Sequence, residues 1–86
     1  MLFASLLSRI IKTGTITIIG PNGQSRTVGS GAPHVTIRVK DRIADMQLAL
    51  YPQLKLGEAY MDGQLSIEEG QLYDLIEIGM VNYQRL

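Results

Sequence analysis

From Gly14 to Lys40 the chain reads GTITIIGPNGQSRTVGSGAPHVTIRVK, with apolar residues at alternate positions in segments separated by turn formers. A period of two puts successive side chains on opposite faces of a strand, so this stretch commits the chain to a sheet with one apolar face. Thr15 and Thr17 alternate with Ile16 and Ile18, and β-branched residues suit a half-buried pleated surface. Pro21, Asn22 and Gly23 supply a fixed φ and then residues that tolerate positive φ, which predicts a hairpin returning through QSRTVGS. After the Gly-rich GSGAP, Val35, Ile37 and Val39 alternate with His34, Thr36, Arg38 and Lys40, a third strand with two cations on its outer face.

On both flanks the period lengthens to that of a helix. Leu2, Phe3, Leu6, Leu7, Ile10 and Ile11 share one side, Ser5, Ser8, Arg9 and Lys12 the other, and Gly14 stands where such a helix would stop. This helix is expected to pack on the sheet or a partner domain; lying in a membrane interface is the alternative. Asp41 is placed to cap the helix that follows, where Ile43, Met46 and Leu50 line one side toward Pro52. A second short helix is expected in LKLGEAYMDG, ending at Gly63, then a brief strand in QLSI with Leu65 and Ile67 on one side. From about Glu69, the positions Leu72, Leu75, Ile76, Gly79, Met80 and Tyr83 predict a last helix, with Glu68 and Glu69 near its N-terminal dipole. The reading is an α+β fold in the order α-β-β-β-α-α-β-α, a small antiparallel sheet of three to four strands on a layer of helices.

With 86 residues there is room for one small domain and a thin core. No cysteine and a single histidine, His34, leave no thiol nucleophile, no Cys-based zinc site and little for a His-paired nucleophile. GSGAP has neither a Lys-Ser/Thr pair nor a helix start after it and reads as a plain loop. MLFASLLSRIIKTG lacks the basic start and small-residue cleavage site of a signal peptide, and no apolar run reaches the ~20 residues of a membrane span. Charge is unevenly spread: Met1 to Arg42 hold six of the eight Lys/Arg and one acid, Asp41, while the rest holds seven acids against Lys55 and Arg85. Such a basic half suits either an anionic surface or internal pairing. Phe3 and four tyrosines are the only aromatics and no tyrosine lies among the basic residues, so a nucleic-acid partner is not expected.

Three runs together, GTITIIGPNGQSRTVGSG, PHVTIRVKD and above all LGEAYMDGQLSIEEGQLYDLIE, resemble the N-terminal, non-catalytic domain of bacterial cyclopropane-fatty-acyl-phospholipid synthases. The resemblance covers about Ile10 to Ile78, and Gly57 to Gly63 is its most specific part. It implies an accessory domain that precedes an S-adenosylmethionine-dependent methyltransferase domain acting on unsaturated phospholipid acyl chains. The domain itself would bind no cofactor, S-adenosylmethionine belonging to the catalytic domain, whose Gly-rich strand-to-helix loop is missing here. The segment YMDGQLSIEEG is also similar, more distantly, to sterol-carrier-like lipid-binding domains.

The resemblance directs attention to two groups of residues. Arg9, Lys12, Arg38, Lys40 and Arg42 are candidates for lipid or membrane contact, each worth ~1 kcal/mol near an anionic surface. Glu58, Tyr60, Met61 and Asp62 are candidates for a domain interface or substrate entrance, with Gly57 and Gly63 meeting backbone needs. Glu58 and Asp62 stand four apart on one helix face, the geometry of a carboxylate pair, but no nucleophile or metal set accompanies them and no catalytic residue is expected. The expected partners are the methyltransferase domain, an anionic phospholipid surface and a second copy of the chain, and the expected place is the cytoplasm, peripheral on the inner membrane. A stand-alone lipid-binding module and a dimerisation module are the alternatives.

Overall fold

The computed structural model describes residues 1–83; the Tyr83 side chain and Arg85 lie outside the described residues. Eight elements follow in the expected order: α1 Leu2–Ile10, β1 Gly14–Ile19, β2 Ser25–Ser30, β3 His34–Val39, α2 Arg42–Leu50, α3 Pro52–Met61, β4 Leu65–Glu69 and α4 Leu72–Tyr83. They form an α+β fold in which the helices lie on one face of a four-stranded sheet, order β2-β1-β3-β4.

The sheet is mixed, which corrects the expectation of a wholly antiparallel one. β1 pairs antiparallel with β2 and β3 antiparallel with β4, but β1 and β3 run parallel, Ile16 opposite Val35 and Ile18 opposite Ile37. The chain leaves β2 at Ser30, passes the start of β1, and enters β3 at His34. Residues 31–33 make this hop across two strand spacings of about 4.8 Å each, within reach at about 3.3 Å per residue. Thr15 ties the hop down: its N–H donates to the Pro33 carbonyl at 2.9 Å and its hydroxyl to the Gly31 carbonyl at 2.8 Å. Gly29 closes the other side of that corner, because a Cβ there would lie 2.0 Å from the Gly14 carbonyl oxygen.

The core lies between the sheet and the helices. Ile16, Ile18, Val35, Ile37, Val39 and Leu65 face inward from the strands and meet Phe3, Leu7, Leu48, Leu75 and Ile78 from the helices, all buried. Each such side chain contributes roughly 1.5–3 kcal/mol by leaving water. Among the described residues no helix covers the opposite face of the sheet, which is polar, with the Thr17 and Thr27 hydroxyls 3.1 Å apart and Arg38 paired with Glu68.

Two buried polar side chains fix α1 at both ends. Asp45 of α2 turns inward and accepts from the first amides of α1, Leu2 N–H at 2.8 Å and Phe3 N–H at 3.1 Å, so a carboxylate from another helix does the work of an N-cap. Asn82 of α4, 1 % exposed, accepts from the Lys12 and Thr13 amides at 2.7 and 3.1 Å and donates to the Thr13 and Ile78 carbonyls at 2.8 and 2.7 Å. All of its hydrogen-bonding directions are used, as burial demands.

α2 begins as expected, with Asp41 accepting from the Ala44 N–H at 2.8 Å. Its apolar side faces the other way, however: Ile43, Met46 and Leu50 are exposed, while Ala44, Asp45 and Leu48 are buried. α4 starts at Leu72, later than expected, because Glu68 and Glu69 belong to β4; Asp74 reaches back to the Gln71 N–H at 3.2 Å and serves the helix start instead.

Candidate functional site

α1, α3 and α4 leave an apolar groove of about 370 Å³ above the centre of the sheet. Phe3, Leu7 and Ile11, spaced four apart, make one wall from α1 and the residue after it. Pro52, Leu56 and Gly57 make the facing wall from α3, and Leu75, Ile76, Gly79 and Met80 come from α4, with Ile16 of β1 as floor. No lining residue carries a charged or hydrogen-bonding side chain. Ile76 and Met80, both substantially exposed, are shared with a second hollow lined also by Tyr73, Glu77 and Val81, so mostly apolar ground, with one carboxylate, continues past the groove along α4.

Gly57 and Gly79 face this groove from two helices. Neither has positive φ, so neither serves a turn, and Gly57 lies inside α3 rather than meeting the backbone need expected of it. Nor does either permit a close approach, since a Cβ at each would meet nothing within 4 Å. A helix-interior glycine costs about 1 kcal/mol relative to alanine, so both positions give up helix stability with no packing return. What they leave is space.

Gly63, in contrast, does what was expected. With φ of +77° it follows α3 in the left-handed region; its N–H donates to the Tyr60 carbonyl at 3.3 Å and the Gln64 N–H to the Ala59 carbonyl at 2.8 Å. This is the double backbone bond of a Schellman motif, so the backbone rather than Asp62 closes the helix.

The interface candidates of that stretch therefore divide between two sides of α3. Glu58 forms an ion pair with Lys55 at 3.2 Å and shares with Asp62 a small polar hollow of about 80 Å³ on the side facing α2. Tyr60, four residues on from Leu56, falls on the groove side by helical spacing and is half-exposed; Met61 is 85 % exposed. The basic candidates divide as well. Arg38 lies on the open sheet face in its pair with Glu68, Arg9 and Lys12 are exposed at the end of α1, and Lys40 and Arg42 are exposed where β3 passes into α2. Arg9 lies in the last turn of α1 and Lys12 just beyond it, whereas Arg42 opens α2.

In the first half of the chain the exposed charges are nevertheless all cations. Between Met1 and Leu50 no carboxylate is exposed, for Asp41 is part-buried in its cap and Asp45 is buried beneath α1. Among the described residues no group of three or more His, Asp or Glu side chains could hold a metal ion, and no helix is long and apolar enough to cross a membrane.

The groove was not legible as a site in the sequence, because its walls come from segments as far apart as Phe3 and Met80. Its one local signal is a glycine within an apolar helical pattern, as at Gly79. No curated protein matches the chain at a significant level. Residues 2–85 match a family described as a domain of unknown function, DUF7884, and the chain belongs to that family.

Proposed function

We propose that this is the accessory, non-catalytic N-terminal domain of a cyclopropane-fatty-acyl-phospholipid synthase, which places the enzyme at the membrane and helps present acyl chains to the catalytic domain. The observation that carries the reading is the open apolar groove set in a helical layer whose first half exposes cations and no carboxylate. Anionic headgroups attract Arg9, Lys12, Lys40 and Arg42, while an apolar hollow suits the chains beneath the headgroups. Arg38, paired with Glu68 on the opposite face, contributes least in this reading. The methyltransferase domain, holding S-adenosylmethionine, meets the domain across apolar ground, for which exposed Tyr60 and Met61 are suited. The protein then works in the cytoplasm, peripheral on the inner membrane.

Co-sedimentation with anionic and neutral phospholipid vesicles, at low and high salt, tests this. The reading expects binding that needs anionic lipid and fades with salt. Charge-removing changes R9Q, K12Q and R42Q should each weaken it, and R38Q should not. Absence of binding to either vesicle would contradict membrane placement by this domain.

The groove also favours a second reading, a stand-alone lipid-binding module. The two part on one observation: the accessory domain associates with a separately produced synthase catalytic domain and the stand-alone module does not.

A further inference from the structure

We infer that the groove between α1, α3 and α4 receives one acyl chain of a membrane phospholipid, and that Gly57 and Gly79 set its width. The membrane source of the lipid rests on the function proposed above; the choice of an acyl chain rests on the groove alone.

The lining fixes the chemistry. A nucleotide, a sugar or an extended peptide would bring polar atoms into a place that offers them no side-chain partner, and burying an unpaired polar group is costly. An acyl chain brings none. Size agrees, since about 370 Å³ lies within the range of small-molecule sites.

The glycines show that the width is kept rather than left over. An alanine at either position would strengthen its helix and clash with nothing, yet both positions facing the groove are glycine. An occupant lying against both helices accounts for the pair, because a Cβ on either wall would take its room.

The shape of the groove indicates the source. The groove is open, and its mouth at Ile76 and Met80 runs on to exposed Tyr73 and Val81, with the Glu77 carboxylate beside them. A carrier of free fatty acid in water would enclose its cargo behind polar groups. An apolar mouth suits a chain that enters from the hydrocarbon of a bilayer.

The test uses dihexanoyl-phosphatidylcholine below its micelle concentration, followed by amide chemical shifts on the whole chain, with hexanoate, the free acid of the same chain length, as the second probe. Saturable shifts at Leu7, Leu56 and Ile76 are expected. Gly57→Leu and Gly79→Leu should each weaken binding about tenfold, the effect of losing roughly two buried methylenes. Gly79→Ala, which only narrows the groove, should weaken it roughly twofold to threefold while its thermal midpoint stays at or above that of the unchanged chain. Equal affinity in all three variants, or no saturable shift in the unchanged chain, would overturn the inference. Hexanoate binding more tightly than the phospholipid of the same chain length would overturn its source. Salt-sensitive vesicle co-sedimentation that survives the loss of groove binding would leave the proposed function standing without this inference.

Discussion

α1 and α3 are two walls of the same groove, and they are held in different ways. α1 is fixed by side chains from elsewhere in the fold, Asp45 at its start and Asn82 beyond its end. α3 is closed by its own backbone at Gly63, and among the described residues no side chain from another element hydrogen-bonds to it. It buries Ala59, keeps Gly57 at the groove, and exposes Leu54, Tyr60 and Met61. The contrast teaches that the groove has one wall set by buried polar bonds and one set only by packing. Packed walls without such bonds are the ones able to adjust to an occupant.

The largest expected effect comes from breaking the fixed wall. Asn82→Ala deletes four hydrogen bonds and strands the partners in a buried setting, so it should destabilise the fold by about 3 kcal/mol. In thermal melts followed by circular dichroism that is a fall on the order of 12–20 °C for a domain of this size. A fall under a few degrees would show that α1 is held by its apolar side alone. Asp45→Ala removes the cap on α1 and should cost about 1–2 kcal/mol, read in the same melts, with Asp45→Asn recovering part. No recovery by asparagine would assign the effect to charge instead of hydrogen bonding.

At the two groove glycines the sign reverses. Gly57→Ala and Gly79→Ala should each stabilise the chain by about 0.5–1 kcal/mol in urea unfolding, because the added methyl meets nothing and the helix gains propensity. A loss of stability in both would mean that the glycines serve packing and that the groove is not kept open. Smallest of all, Ile43→Gln and Leu50→Gln should change stability by no more than about 0.5 kcal/mol, since both side chains are exposed.

The parts legible in the sequence were those decided by local physics. Period-two runs marked the strands, Asp41 marked a cap that forms, and Gly63 marked a helix end that needs the left-handed region. The parallel pairing of β1 with β3 was not legible, because it depends on the chain crossing the start of β1, a tertiary event. The inward face of α2 was hidden for a related reason. Its larger apolar residues, Ile43, Met46 and Leu50, are outside, while small Ala44 and the capping Asp45 lie beneath α1. Hydrophobic periodicity cannot anticipate an acid that is buried to serve another helix. The groove was missed for the same cause, since Gly57 on α3 acquires its meaning only opposite Gly79 on α4.

The most direct measurement of the central claim is paramagnetic broadening of the amide signals by a phospholipid carrying a nitroxide near the end of its acyl chain, in anionic bicelles. The account predicts broadening at Leu7, Gly57, Ile76 and Gly79, on both walls of the groove, with Thr17, Thr27 and Thr36 on the open sheet face left sharp. Broadening on that sheet face, or none at the groove while the chain is bicelle-bound, would contradict it.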